Sequence, residues 1–326
     1  MTTTSGLRTA ADDVYVWSQS TEGGWGLANC TMVVGDGGVS ALVDTPYTSL
    51  MRSRMMAAMG GVRPDAVVDT IIHTHANGDH TFTSAEFGAA HVIGTRSSQE
   101  HLHRDPTPEQ MQALVHGPGR DGPLVRYLRR HFGHFDFSGL ALAPTTRSFA
   151  GELAVTVGGT ELRLIEVGPA HTAGDAIVHL PRQRVVCTGD IVFLKDHPVH
   201  WAGPIARVLD ACARILALAP EVIVPGHGPV AEPAALREYT AYLRYVRDRI
   251  HEAHGRGLSV LDTAASILAE GRYGHLALPE RLVVLAGVEQ SHLDGTEPPG
   301  ILGLLTRAAE FAERRSTRVP VSRTSS

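Results

Sequence analysis

The segment DAVVDTIIHTHANGDH, residues 65 to 80, constrains the fold of this chain more than any other part of the sequence. Its first half is apolar on both faces, the pattern of a strand buried within a sheet. Because alternate residues of a strand face the same side, we expect His73 and His75 to project together from the strand's end. The Asn-Gly pair that follows is a turn signal and should bring Asp79 and His80 back to the same rim. The segment predicts a sheet with ligand-type side chains at one edge.

This cluster of imidazoles and a carboxylate has two possible explanations. A single histidine beside an apolar strand is usually an ordinary core or surface residue. Burying several such groups together is costly, however, unless a cation compensates for the water that they lose. The clustering therefore favours a metal site.

Three further ligand-type residues share one setting, in which a buried strand ends in a loop with small residues. They are His171 in VGPAHTAGD, Asp190 in VVCTGDIVF and His227 in IVPGHGPV. Loops at the ends of buried strands are where rigid scaffolds hold reactive groups, and small neighbours allow close approach. These residues are candidates for the same site.

The order of predicted elements indicates an α/β protein with one domain over residues 1–326. Two runs, 10–104 and 147–230, pair strands with flanking helices and predict two sheet layers with helices outside. Residues 105–143 are polar and rich in proline, which predicts a surface insertion with one helix and makes the segment a lid candidate. Residues 232–316 have the periodicity of helices and form a C-terminal extension, and the polar tail 317–326 is predicted to be disordered.

Composition and charge exclude several classes of protein. A net charge of -5 without a long basic run argues against nucleic acid as a partner. The N-terminus lacks the features of a signal peptide and there is no apolar run of membrane-spanning length, so we expect a cytoplasmic protein that does not bind membranes. Three widely spaced cysteines, Cys30, Cys187 and Cys212, indicate neither a disulfide framework nor a zinc ribbon.

Taken together, these motifs resemble the metallo-β-lactamase fold superfamily of hydrolases. The resemblance covers five pieces between residues 73 and 227, in the family's order: the His-x-His-x-Asp-His type signature, with three residues between His75 and Asp79, an isolated His, a Gly-Asp pair and a Pro-Gly-His-Gly loop. It implies an αβ/βα four-layer sandwich with two metal ions at one edge. The implied ligands are His73, His75 and His171 for the first ion, Asp79, His80 and His227 for the second, and Asp190 as the bridge.

The ligand set is similar to the two-metal centres of glyoxalase II and lactonases, because Asp79 and His80 are both present and the fourth motif has an aspartate rather than a cysteine. The resemblance implies two divalent ions, with Zn²⁺ as the first expectation and Fe or Mn as alternatives. A bridging hydroxide would attack an ester, thioester or lactone, and Asp79 would accept and relay a proton.

The loop FLKDHPVHWAGP follows Asp190 closely and suggests substrate contacts for Lys195, His200 and Trp201, with Trp201 as the wall of an apolar pocket. The lid candidate carries basic residues that could attract an anionic substrate, although a solvated helix face is the favoured explanation. These residues are His116, Arg120, Arg126, Arg129, Arg130, His131 and His134.

Other functions stay open at this point. The segments TEGGWGLANCTMVV, VGPAHTAGDAIVHLPRQRVVCTGDIVF and HLDG also look like a bacterial subgroup of the superfamily that includes aromatic polyketide cyclases and thioesterases. An iron-dependent oxidative enzyme and a non-catalytic binding module are further alternatives. The expected partner is a small-molecule or carrier-protein-bound acyl substrate. A homodimer is possible, but the apolar stripes of the C-terminal helices more simply pack on their own domain.

Overall fold

Two β-sheets form the framework of the protein, of which a computed structural model describes residues 6–19, 23–102, 105–119 and 121–318. The first sheet contains seven strands in sequence order. They are β1 (Leu7–Ala11), β2 (Val14–Trp17), β3 (Cys30–Val34), β4 (Val39–Val43), β5 (Val67–Ile72), β6 (His91–Thr95) and β7 (Arg147–Phe149). Neighbouring strands are antiparallel from β1 to β4 and parallel from β4 to β7.

The second sheet contains five strands in the order β12-β11-β10-β9-β8. They are β8 (Glu152–Val157), β9 (Thr160–Glu166), β10 (Ala176–Leu180), β11 (Val185–Cys187) and β12 (Val222–Val224). β11 and β12 are parallel, and the other neighbours are antiparallel. The hairpins that the sequence predicts around Gly158-Gly159 and around residues 181–184 are both present.

Ten α-helices are found in the described part of the chain. They are α1 (Ser49–Gly60), α2 (Gly78–Thr81), α3 (Arg96–His101), α4 (Pro108–His116), α5 (Pro123–Phe132), α6 (Ile205–Ala217), α7 (Pro233–Gly255), α8 (Val260–Ala269), α9 (Arg281–Leu293) and α10 (Ile301–Arg318). In the C-terminal part, α10 packs on both α9 and α5, and α7 packs on α6, α8 and α9.

The two sheets pack face to face through a core of mostly aliphatic residues. Val16, Val33 and Ile72 of the first sheet share this buried cluster with Leu164 and Val178 of the second. A larger cluster lies on the outer faces, where the three methionines of α1 cover the first sheet and α6 and α7 cover the second. Alternate residues along each strand therefore pack either between the two sheets or against the outer helices. This arrangement is the predicted α/β sandwich with a helical C-terminal part.

Local boundaries differ from the sequence prediction in two places. The sequence predicts a helix near residues 82–88, but this segment forms only a 3₁₀ turn at Ser84–Phe87, which Gly88 ends with a left-handed backbone; the short α2 precedes it. The stretch SSQEHLHR predicts a helix with a serine cap, but Thr95 caps α3, because its hydroxyl accepts a hydrogen bond from the Ser98 amide.

The segment 105–143 contains two helices rather than the predicted one, because Pro108 and Pro123 each stand at a helix's first turn. α10 continues to Arg318, so the first two residues of the predicted tail are helical, and residues 319–326 lie outside the described residues. In the described residues, we find no helix with the length and apolarity to cross a membrane. The cytoplasmic location stays a prediction.

Candidate metal centre

The ends of the parallel strands of both sheets meet at one edge of the sandwich. The loop after β5 carries residues 73–80, and the loops after β11 and β12 carry Asp190 and His227. The loop between β9 and β10 adds His171. Backbone hydrogen bonds of 2.8 Å join these loops, from Ala176 to the Thr74 carbonyl and from Gly226 to the Gly189 carbonyl. The loops are thereby fixed relative to one another as well as to their own strands.

Six of the seven predicted ligands come together at this edge. They form two groups, His75, His171 and Asp190 and then Asp79, His80 and His227, with ligand atoms within 4.8 Å of one another in each group. The carboxylate of Asp190 reaches both groups. Its Oδ2 lies 3.4 Å from Nε2 of His171 and 3.4 Å from Nε2 of His227, and its Oδ1 lies 3.2 Å from Nε2 of His80. Asp190 thus occupies the position of the predicted bridge.

His73, the seventh predicted ligand, lies in neither group. Its backbone amide donates to the Ile93 carbonyl at 2.9 Å and so continues the pairing of β5 with β6, but the chain bends immediately afterwards, at residues 74–76. The alternation of side chains along a strand therefore stops before His75, and the two imidazoles do not project together. Burial lowers the pKa of His73 to about 4, so it is a neutral buried histidine.

Asn77 is present at the centre although the sequence analysis treated it only as a turn residue. Its Oδ1 lies 2.8 Å from Nε2 of His171, and its Nδ2 donates to Oδ2 of Asp105 at 3.0 Å. The spacing His75-x-Asn77-x-Asp79-His80 was the available signal. This spacing was missed because His73, two residues before His75, could serve as the first histidine of the motif, which left Asn77 without a role.

Asp44, at the end of β4, is a second residue that the sequence analysis missed. Its Oδ2 lies 2.9 Å from Nδ1 of His80 and accepts a hydrogen bond from the Thr74 hydroxyl, while its Oδ1 accepts from the Thr74 amide. Similarly, Nδ1 of His171 donates to the Val199 carbonyl at 2.8 Å. A proton held on Nδ1 leaves the Nε2 lone pair facing the centre, the usual arrangement of metal-binding histidines. The carboxylate after the buried run SALV was the signal for Asp44.

Unsatisfied atoms at the centre fit a bound cation. Nε2 of His75, Nε2 of His80 and Oδ1 of Asp190 are buried and make no hydrogen bond within the described part of the chain. Leaving such groups without partners is costly, whereas a divalent ion would use their lone pairs at once. The donors are imidazole nitrogens and carboxylate oxygens, a set that suits Zn, Fe or Mn.

The charges of the centre also favour a cation. Burial opposes charge on His80, but neighbouring carboxylates, that of Asp190 first, raise its pKa well above the usual value. Burial likewise opposes charge on His227, yet Asp190 and Asp79 raise its pKa to about 9. In a chain without metal these carboxylates hold protons on two imidazoles, so a divalent ion would bind in exchange for protons.

Two glycines allow the loops to approach this closely. At Gly226, an added Cβ would lie 1.9 Å from Oδ1 of Asp190. At Gly189, whose φ is +49°, an added Cβ would lie 2.5 Å from Oγ1 of Thr74. A side chain at Gly226 would push the loop after β12 away from the Asp190 loop, and one at Gly189 would push the Asp190 loop away from Thr74 in the loop after β5.

A cleft of about 720 Å³, open to solvent, leads to the two groups. Its walls are largely aromatic and apolar, and they come from the loops, from the 105–143 segment and from the C-terminal helices. They include Trp25, Tyr47, Phe82, Met111, Leu128, Phe132, Phe193, Trp201, Ile301, Leu302 and Leu305. Arg281 also lines the cleft, where its buried guanidinium lies 3.9 Å above the ring of Trp25 and donates to the His197 carbonyl. Arg281 lies on α9, and no local motif of the sequence marks it as a residue of the cleft.

Of the three predicted substrate contacts, only Trp201 lines this cleft, where it stacks on Trp25 with ring centroids 6.4 Å apart. His200 is buried behind His171 and its Nε2 lies 3.2 Å from the Tyr239 hydroxyl. Lys195 is exposed and borders a different cavity, since its positive φ of 77° turns the chain away from the cleft.

The basic residues of the 105–143 segment mostly make local contacts. Arg126 pairs with Asp121 and Glu313, and Arg129 donates to two backbone carbonyls. Neither is part of the cleft wall, and Arg120 lies outside the described residues. Apart from Asp105, the segment contributes to the cleft mainly through apolar side chains such as Met111, Leu128 and Phe132.

The fold and the paired ligand groups define a class of metal-dependent enzymes in which a two-sheet sandwich holds the metal ligands at one edge. A family model for the metallo-beta-lactamase superfamily matches residues 23–227. The chain belongs to this superfamily, whose members are hydrolases or related metal-dependent enzymes.

One curated relative is the 2,4-dinitroanisole O-demethylase subunit alpha of Nocardioides sp. (strain JS1661). It is 28% identical over 210 residues, which are 62% of this chain and 53% of the relative. The chain therefore spans about half the length of the curated relative that it matches.

Solved structures share the fold at low sequence identity. A beta-lactamase domain protein from Burkholderia ambifaria has a TM-score of 0.62 at 19% identity, over 89% of each chain. A metallo-beta-lactamase family protein from Thermus thermophilus has a TM-score of 0.60 at 19% identity, over 86% of this chain and 94% of that one. The sec-alkylsulfatase Pisa1 from Pseudomonas sp. has a TM-score of 0.62 at 17% identity, over 94% of this chain and 49% of that one.

Proposed function

We propose that this protein is a metal-dependent hydrolase that acts on an ester, a thioester or a lactone. One observation carries the proposal: two groups of ligand-type side chains share Asp190 at the floor of an aromatic-walled cleft. These side chains would hold two divalent cations, which would supply an acidified water as the nucleophile, so hydrolysis would need no nucleophilic side chain. Cys30, the cysteine near Asp44, is no substitute nucleophile, because burial and the nearby carboxylates raise the pKa of its thiol.

The residues of the two groups have distinct tasks in this proposal. Bound cations would supply a Lewis acid for the substrate carbonyl and an acidified water. Asp79 is 18% exposed and borders the cleft, so its carboxylate can accept a proton from the attacking water and pass it to the leaving group. Asp190 is only 5% exposed and lies between the groups, which suits a purely holding role. The apolar walls would exclude other water and bind the acyl part of the substrate.

The test is a substrate panel on protein of known metal content. The full chain is purified without added metal, its Zn, Fe and Mn are measured, and aryl esters, thioesters and lactones are offered with and without a chelator. We expect at least one class to be hydrolysed and the chelator to abolish turnover. Two bound ions without hydrolysis of any class would refute the proposal, and oxygen consumption by an iron-loaded chain would favour an oxidative enzyme.

Aromatic polyketide cyclisation is the second candidate, and the six aromatic rings of the cleft wall favour it. In that reaction the centre would polarise a ketone while Asp79 removes a proton from the adjacent carbon. The name of the curated relative, an O-demethylase of 2,4-dinitroanisole, adds support for an aromatic substrate. Incubation with a poly-β-ketone thioester separates the candidates, because a hydrolase releases the linear acid and a cyclase releases a ring. A pure binding module would release neither.

A further inference from the structure

The contact between Asn77 and His171 is unusual because both atoms that meet are acceptors. Nδ1 of His171 donates to the Val199 carbonyl, so Nε2 of the neutral ring carries a lone pair. That lone pair faces Oδ1 of Asn77 at 2.8 Å. Two acceptors at this distance repel each other unless a cation lies within reach of both.

The orientation of the Asn77 amide is fixed from its other side. Nδ2 donates to Oδ2 of Asp105 at 3.0 Å. The reversed amide would place Oδ1 against the carboxylate of Asp105 and would lose this hydrogen bond. The carboxylate of Asp105 therefore directs Oδ1 of Asn77 towards the centre.

The separation of the two acceptors suits two ligands of one ion. Ligands about 2.1 Å from an ion and at right angles to each other are about 3.0 Å apart. Amide oxygen is an accepted ligand of divalent ions, although it is neutral and harder than imidazole.

We infer that Asn77 is a metal ligand of the first group and that the two metal positions are unequal in consequence. This inference rests on the proposed metal centre. The first position has two imidazoles, from His75 and His171, the neutral amide oxygen of Asn77 and a share of Asp190.

The second position has two imidazoles, from His80 and His227, the carboxylate of Asp79 and its own share of Asp190. Its His80 is also oriented by the carboxylate of Asp44. An added negative charge and a carboxylate-supported imidazole both strengthen binding of a cation. The second position should therefore fill first and hold its ion more tightly.

The test is a Zn²⁺ titration of the metal-free full chain in competition with a chromophoric chelator. The wild-type chain should show two steps whose affinities differ by at least about tenfold. Asn77→Ala should weaken the weaker step by a further factor of about ten and leave the tighter step unchanged. Asn77→His should strengthen the weaker step, because an imidazole replaces a neutral oxygen. Asp79→Asn is the matched control and should weaken the tighter step.

Each outcome bears on one proposal. Two equal steps in the wild-type chain, or an Asn77→Ala chain with both steps intact, would overturn the inference. If circular dichroism shows that Asn77→Ala does not fold, Asn77→His decides, and no gain at the weaker step overturns the inference. A folded wild-type chain that binds no Zn²⁺ refutes the metal centre itself, whereas two unequal ions without turnover refute only the proposed hydrolysis.

Discussion

The strand-end loops at the sheet edge and the helices that wall the cleft face the same space but are built differently. The edge carries buried polar side chains, each tied to a neighbouring loop, as Asp44 is tied to Thr74 and His171 to Val199. The wall carries apolar side chains such as Phe132 and Leu305, which depend on packing alone. In the proposed function, the edge would fix the chemistry while the wall would select the substrate. Changes at the edge should therefore affect metal and turnover, and changes in the wall should affect substrate affinity.

The largest effect is expected at Asp190, whose carboxylate reaches both groups. Asp190→Asn keeps the size of the side chain but removes the charge that two cations would share, so we expect turnover to fall on the order of 10³-fold. Metal content should fall with it. Asp210→Asn, an exposed change on α6, is the control for handling and purity. An Asp190→Asn chain with full metal and turnover would remove the basis for a shared centre.

Comparing His75→Ala with His73→Ala tests which histidines at the edge belong to the ligand groups. His75 belongs to the first group, so its loss should cost the first ion and on the order of 10²-fold in turnover. His73 lies outside both groups, so its loss should leave both ions bound and only lower the free energy of unfolding, by about 1–3 kcal/mol. Elemental analysis and thermal unfolding measure the two effects. Loss of metal from His73→Ala would restore the original sequence prediction.

The contrast between these histidines shows how far the sequence alone could go. His171, Asp190 and His227 were predictable because each follows an apolar strand and has small neighbours. His73 was predicted to project together with His75 but lies in neither group, because the sequence does not show that strand pairing ends just after it. Asn77 was not recognised as a possible ligand because the Asn-Gly pair was interpreted only as a turn signal. The cluster of ligand-type side chains at the edge was therefore largely predictable, apart from Asp44 and Asn77.

The cleft wall was far less predictable. Side chains such as Leu305 and Arg281 lie on helices whose apolar faces look the same in sequence whether they fill a core or line a cleft. Trp201 was identified only because it follows a predicted ligand along the chain. Wall residues from distant helices carry no comparable local signal.

A smaller effect is expected at Asp175, which supports the loop of His171 at the edge, and it concerns the pH dependence of the free energy of unfolding. Asp175 accepts hydrogen bonds from the Thr172 hydroxyl and the Ala170 amide and so holds the loop of His171. Burial raises its pKa to about 7 although these hydrogen bonds lower it. The folded chain thus keeps a proton that the unfolded chain loses above about pH 4, and the free energy of unfolding should fall as pH rises from there through about 7. Asp175→Asn should flatten this part of the profile in urea unfolding. An identical slope in both chains would contradict the assignment.

In the wall, Trp201→Ala should raise KM for aryl substrates about tenfold with little change in kcat, because the ring stacks on Trp25 but holds no ligand. Lys195→Ala is the matched control from the same loop and should leave both constants unchanged, since Lys195 lies outside the cleft. Steady-state kinetics with an aryl and an alkyl ester separate loss of aromatic contact from general damage. A fall in kcat alone would show that Trp201 acts on the edge rather than the wall.

The smallest effect is expected from the double change Arg129→Ala and Arg130→Ala on α5. Both side chains are exposed, and the guanidinium of Arg129 already donates to the carbonyls of Val115 and Gly117. Exposed charges of this kind contribute little, so kcat/KM should change by less than about twofold for anionic and neutral substrates alike. A selective loss for anionic substrates would instead make these arginines a basic rim of the cleft. Substrate selection would then depend on charge on the 105–143 segment as well as on the apolar wall. A basic rim would have to be distinguished as a third region beside the edge and the wall.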